Sequence, residues 1–175
     1  MRKIYLPLKD EVIEDLKVGE WVRLYGECYS ARDAAHKRIV ESLMRGEKLP
    51  FQLEGSVIYY MGPSPTPPGR IIGACGPTTS MRMDPYVPIL LEKGVKGFIG
   101  KGKRGEEVRT AIRKYKGIYF ATVGGAGAYF SERIKRFQLV GYEDLGPEAI
   151  YLLELYDFPV MVAIDSSGRD YYLEK

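Results

Sequence analysis

Residues 75–86 read CGPTTSMRMDPY. Two adjacent threonines, Thr78 and Thr79, precede Arg82, which lies four positions after the first of them. On a helical turn that spacing returns a guanidinium toward a hydroxyl. Arginine grips a planar carboxylate through two parallel hydrogen bonds, so the pair is a candidate for binding and working on a carboxylate. The simpler alternative is a turn followed by a helix cap, because Thr and Ser caps accept backbone N–H bonds. A second cation lies upstream in SARDAAHKRI, residues 30–39. There Ser30 is an N-cap candidate and Arg32 falls at a helix start, where the helix terminus also favours anions. Asp33 and His36 flank Arg32, His36 on the same helical face, and read as supporting residues. The alternatives are an exposed arginine paired with a nearby acid, and a histidine with a purely structural place.

A third basic element, GKGKRG at residues 100–105, contains Lys101. It fits G-x-G-x-x-G between a strand and a helix, which opens a nucleotide-binding reading. Against it, the motif comes late in the chain and has no acidic residue about 20 positions on. It also lacks the Lys-Ser/Thr pair of a P-loop, so a tight turn with solvated lysines is the competing reading. Gly76–Arg82, Gly100–Gly105 and Gly124–Gly127 all follow expected strands, and α/β sheets bind ligands at the carboxyl ends of strands.

The elements that would position these groups follow from periodicity. Strands are expected at Lys3–Leu8, Glu20–Cys28, Gly55–Met61, Ile71–Cys75, Val95–Ile99, Ile118–Val123, Phe137–Gly141, Val160–Asp165 and Tyr171–Leu173. Helices are expected at Glu11–Leu16 after an Asp10 cap, Ala31–Arg45 stopped by Gly46, Ser80–Lys93, Gly105–Tyr115 and Glu148–Leu155, with a helical turn within Gly124–Arg133. Thr79 or Ser80 would cap the Ser80 helix, while Met81 and Met83 pack. Alternation of strand and helix with antiparallel-looking ends predicts an α/β domain with a mixed sheet in three layers, spanning residues 1–175 as one domain.

At 175 residues the chain is long enough to fold without staples. Its net charge of +3, with acids and bases interleaved, argues against a nucleic-acid partner. Cys28 and Cys75 form no CxxC pair, and the single histidine completes no familiar metal site with them. Free thiols suit a reducing compartment, so a cytoplasmic location is expected. The opening MRKIYLPLKDE lacks a signal-peptide core, and no apolar run suggests a membrane partner.

GPTTSMRMDPY, with SARDAAHKRI before it and GFIGKG after it, resembles the β subunit of class I fumarate hydratases. The same part occurs as the C-terminal domain of single-chain enzymes and in the related L-tartrate dehydratase β subunit. The likeness continues through KGIYFATVGGAGAY and DFPVMVAIDSSG, over most of the chain. It implies a hydro-lyase interconverting (S)-malate and fumarate, on a swivelling β/β/α domain. It further implies a [4Fe–4S] cluster whose cysteines belong to an α subunit, with one iron acting as Lewis acid; two distant cysteines here accord with that. By motif, Arg32, Arg82 and Lys101 resemble the cations that hold a C4 dicarboxylate, and Thr78 the hydroxyl near the reacting carbon. An acidic residue of the α subunit is the alternative proton acceptor. Ala31 stands where the family pattern has glycine. The expected assembly is a heterotetramer or larger with the α subunit, or a homo-oligomer of the isolated chain. L-tartrate is the alternative substrate, and a stand-alone anion- or nucleotide-binding module or a purely structural subunit are alternatives of other classes.

Overall fold

A computed structural model describes residues 1–122 and 127–174. In chain order the elements are β1 (Arg2–Tyr5), α1 (Asp10–Asp15), β2 (Trp21–Ser30), α2 (Asp33–Met44) and β3 (Val57–Tyr59). A 3-10 segment (Ser80–Tyr86) then leads into α3 (Val87–Glu92), β4 (Gly97–Gly100), α4 (Glu106–Tyr115) and β5 (Ile118–Ala121). The chain ends with α5 (Gly127–Ser131), β6 (Ile134–Gly141), a second 3-10 segment (Glu143–Glu148), β7 (Ile150–Ile164) and a 3-10 turn (Tyr171–Leu173). Strand periodicity explains the start of β2: Val22 and Leu24 are buried, whereas Trp21 is exposed. α2 stops where expected, with Gly46 at φ +71° just past its last turn.

The seven strands among the described residues join one mixed sheet. β1 to β5 pair in parallel, each with the next. β7 is antiparallel to β2, β5 and β6. β2 gives one edge to β7 along its length and the other first to β1, then, at Tyr29 and Ser30, to β3. β7 gives its second edge to β6 and then, from Met161 onward, to β5. The pairings β2–β3–β4–β5–β7–β2 therefore close a ring, leaving β1 and β6 outside it. Closure gives each of the five ring strands a neighbour on both sides, so the unpaired edges fall to β1 and β6.

The strands separate two apolar cores. Val22, Leu24, Val57, Tyr59, Ile99, Phe120, Phe158 and Val160 fill one. Their alternating neighbours Ile58, Tyr60, Phe98 and Tyr119 pack in the other with Ile39 of α2, Leu90 of α3 and Ile112 of α4. No helix among the described residues is long and apolar enough to cross a membrane.

Several expected elements differ. Ile71–Cys75 is not a strand: its polar groups are met by a loop and a side chain, with Ala74 O accepting from Ser64 N at 2.9 Å and Cys75 O from Tyr59 OH at 2.6 Å. Glu148–Leu155 is not a helix, because Ile150–Leu155 pairs with β2 on one side and β6 on the other. Tyr171–Leu173 is a 3-10 turn, not a strand. The Ser80 helix begins as a 3-10 segment with Pro85 inside it, and neither Thr79 nor Ser80 caps it by a side chain. Ser30 remains in β2, so Arg32 takes the N-cap position of α2. α1 has Lys9, not Asp10, at its N-cap. Met83 is buried as expected, but Met81 is 42% exposed. Within Gly124–Gly127, residues 124–126 lie outside the described residues.

Candidate carboxylate-binding site

Because β2, β3 and β4 run parallel, their carboxyl ends lie on one side of the sheet, where Arg32 follows β2, Thr78 is tied to Tyr60 just past β3, and Lys101 follows β4. Arg32 follows β2 directly. Its carbonyl accepts the backbone N–H of His36 at 2.9 Å and lies 2.8 Å from His36 Nδ1. A carbonyl cannot donate, so Nδ1 carries the proton. The Arg32 side chain runs against Gly62, beyond β3: a Cβ there would lie 2.9 Å from both Cδ and Nη1 of Arg32. Glycine at 62 is thus what lets the arginine pass. Arg32 Nε is buried with no hydrogen-bond partner among the described residues. The N-terminus of α2 is met by Glu148, whose Oε1 accepts from Ala34 N at 3.3 Å.

Arg82 projects from the 3-10 segment toward α2. Its Nε and Nη2 donate to Asp33 Oδ2 and Oδ1 at 3.1 and 2.6 Å, a two-point pair open to solvent. The expected return of Arg82 toward Thr78 is replaced by this pair. Thr78 is half-buried, fixed by its N–H to the Tyr60 carbonyl at 2.7 Å. Thr79 forms a bridge with Lys101, and Ser80 N donates to Lys101 O at 3.0 Å. The structure therefore joins the Thr79–Ser80 backbone to Lys101, and pairs Arg82 with Asp33, the residue after Arg32.

His36 is fully buried between the rings of Tyr60 and Tyr86, at centroid distances of 5.3 and 5.8 Å. Burial pushes its imidazole down to about 4, with the Arg32 carbonyl opposing that shift. It is a neutral support under Arg32, not a cation for substrate.

Sequence reading missed the charged pair of Arg104 and Asp84. Arg104, expected as part of a solvated basic loop, is 2% exposed. Its Nε donates to Asp84 Oδ1 at 2.6 Å and its Nη2 to Tyr60 OH at 3.1 Å. The guanidinium also lies over the Tyr119 and Tyr60 rings, 4.8 and 5.1 Å from their centroids. Asp84 Oδ2 accepts Gly105 N at 2.7 Å, and Gly102 O accepts Tyr119 OH at 2.8 Å. The available signal was a pair of tyrosines, Tyr60 and Tyr119, in or beside apolar strands, each needing a polar partner once buried. With these groups turned onto the protein, the GKGKRG loop is not an open phosphate cradle.

The thiols do not suit an iron–sulfur cluster. Cys28 and Cys75 are both buried, and burial pushes the Cys28 thiol far up and that of Cys75 to about 12. Cluster ligation needs thiolates. No group of three or more His, Cys, Asp or Glu side chains suited to a metal occurs among the described residues.

The mixed sheet with its helices makes this chain an α/β domain, and Arg32 and Lys101 stand just past the carboxyl ends of the parallel strands β2 and β4. The chain belongs to the family described as Fumarase C-terminus, whose model matches residues 2–175. It is 38% identical over 167 residues to the aerobic class I fumarate hydratase of Salmonella typhimurium, covering 93% of this chain and 29% of that one. It is 39% identical to fumarate hydratase 2 of Leishmania major, covering 89% and 28%. The chain thus spans less than a third of these enzymes. A protein of Methanocaldococcus jannaschii described as an L(+)-tartrate dehydratase subunit beta is 36% identical, covering 99% of this chain and 92% of that one.

Proposed function

We propose that residues 1–175 form one domain, the β subunit of an iron–sulfur hydro-lyase that interconverts (S)-malate and fumarate plus water. The observation that carries this is a buried Arg32 Nε lacking an acceptor just past β2, with Lys101 just past β4, and with Arg82 in and Thr78 beside the 3-10 segment tied to it. Leaving such a donor unmet costs roughly 1–3 kcal/mol, a cost that a bound carboxylate removes. Arg32 and Arg82 hold planar carboxylates; Lys101 adds a compact charge. Removing a proton beside a carboxylate builds extra negative charge on it, and fixed cations stabilise that charge as it develops. Holding both ends of a C4 dicarboxylate also orients the reacting carbon toward Thr78. An unassisted threonine hydroxyl is a poor base, so an acidic residue of the α subunit is the alternative acceptor.

The [4Fe–4S] cluster is assigned to the α subunit, since the two thiols here are unsuited to it. The working unit is then a heterotetramer or larger in the cytoplasm. In this reading the ring-closed sheet, with α2, α3 and α4 packed on one of its cores, is the swivelling β/β/α domain, three layers deep.

A second reading, the β subunit of an L(+)-tartrate dehydratase, is favoured by one observation. The relative so described is a chain of nearly this length, whereas the fumarate hydratases are about three times longer. Turnover of fumarate and of L-tartrate by the αβ complex separates the two. Fumarate hydration is expected; fast tartrate turnover with negligible fumarate activity overturns the first reading in favour of the second.

A further inference from the structure

We propose that Tyr119 is a positioning residue whose buried hydroxyl clasps the Thr78–Arg82 loop to the Lys101 loop and so sets the spacing of the substrate-gripping groups. The inference rests on the carboxylate-site reading above. Tyr119 stands on β5 with its side chain fully buried, and Ser80 is equally buried. Its hydroxyl lies 2.8 Å from Ser80 Oγ and 2.8 Å from Gly102 O. A phenol has one proton, and a carbonyl can only accept. Tyr119 therefore donates to Gly102 and accepts from Ser80, which fixes the direction of both bonds.

Each end of this clasp is next to a candidate site residue. Ser80 lies two positions from Thr78 and two from Arg82, and Gly102 follows Lys101. The same two loops meet again where Ser80 N donates to Lys101 O at 3.0 Å. Space at the junction is so limited that a Cβ on Gly100 would lie 1.9 Å from Ser80 Oγ. Below, Arg104 joins the Tyr119 and Tyr60 rings to Asp84, on the same 3-10 segment as Arg82. Tyr60 in turn holds the Thr78 amide. The clasp is thus anchored on a paired strand, with Tyr119 opposite Phe98 of β4 and Ile164 of β7. Residues that touch no substrate but fix those that do act through geometry, and displacement of about 1 Å costs up to ~10²-fold in rate.

Tyr119→Phe keeps the ring and its contact with Arg104 and removes only the hydroxyl; Ser80→Ala removes the other half of the upper bond. Amide hydrogen exchange on the full chain, read by NMR, follows the Ser80 N–H directly. The expected result is exchange of that amide about 10-fold faster in both variants, with β7 amides unchanged. In the αβ complex, each variant is expected to lower kcat about 10-fold for the substrate turned over, with a smaller change in KM. The double variant is expected to be no worse than Tyr119→Phe, because one link is broken twice. Unchanged Ser80 exchange overturns the clasp, and so does a lowered Tm with kcat and KM intact. If the wild-type complex turned over neither fumarate nor L-tartrate, the hydro-lyase reading would fall, while the exchange measurement would still decide whether the clasp exists.

Discussion

Arg82 and Arg104 show how the same residue type takes different work from its surroundings. Arg82 is about half exposed and paired with a partly exposed Asp33, a geometry that contributes little to stability and leaves the charge open to solvent. Arg104 is buried, paired with Asp84 and covered by rings, which makes it part of the scaffold. Spacing alone distinguished neither, since both stand in polar, glycine- or hydroxyl-rich stretches. His36 gives a prediction at this scale. Its folded pKa, about 4, lies below the unfolded value near 6.5, so the unfolded chain binds more protons between them. Stability contributed by neutral His36 is complete above pH 6.5 and is lost as pH falls toward 4. Comparing unfolding free energies of wild type and His36→Asn across that window should show a steeper acid loss in wild type, on the order of 3 kcal/mol. Parallel pH profiles would mean that His36 titrates as a solvent-exposed group.

Among the elements, β2, α2 and α4 were legible through their periods, and β4 and β5 as short apolar runs buried at every position. The segment beginning at Glu148 was not. Its Glu, Ala and Leu favour a helix locally, but two neighbouring strands offer backbone partners on both sides, and pairing overrides propensity. Ile71–Cys75 failed in the opposite sense: its residues suit a strand, yet its carbonyls are taken by Ser64 N and Tyr59 OH. At the proposed site, Arg32, Thr78, Arg82 and Lys101 were singled out through motif and resemblance. Arg104, Asp84 and the Tyr119 hydroxyl were not, because their roles arise from contacts between elements distant in sequence. The end of β4 offers a test of how tightly those elements fit. Gly100→Ala would place a methyl group in contact with Ser80 Oγ and the Tyr60 ring. We expect a stability loss of about 1–3 kcal/mol in chemical denaturation, the usual cost of overpacking. A loss below a few tenths would show that the 3-10 segment yields easily.

At the scale of the whole molecule, a closed strand ring with two cores carries buried thiols that burial holds protonated. In the proposed reading such a domain holds a dicarboxylate and leaves the cluster ligands to the α subunit. The purified chain alone is accordingly expected to be colourless and free of iron and acid-labile sulfide, and to be inactive until the α subunit is added. Iron in stoichiometric amounts in the isolated chain would reverse that assignment. The central claim is that this domain supplies the cations that grip substrate in the assembled enzyme. It is tested most directly by kcat/KM for fumarate hydration in the αβ complex carrying Arg82→Ala, with Arg38→Ala as control, since Arg38 pairs with Asp144 elsewhere on α2. The account predicts a loss of at least ~10²-fold for Arg82→Ala, the scale for removing a fixed charge contact, and near wild-type values for Arg38→Ala. Full kcat/KM in the Arg82→Ala complex would contradict it.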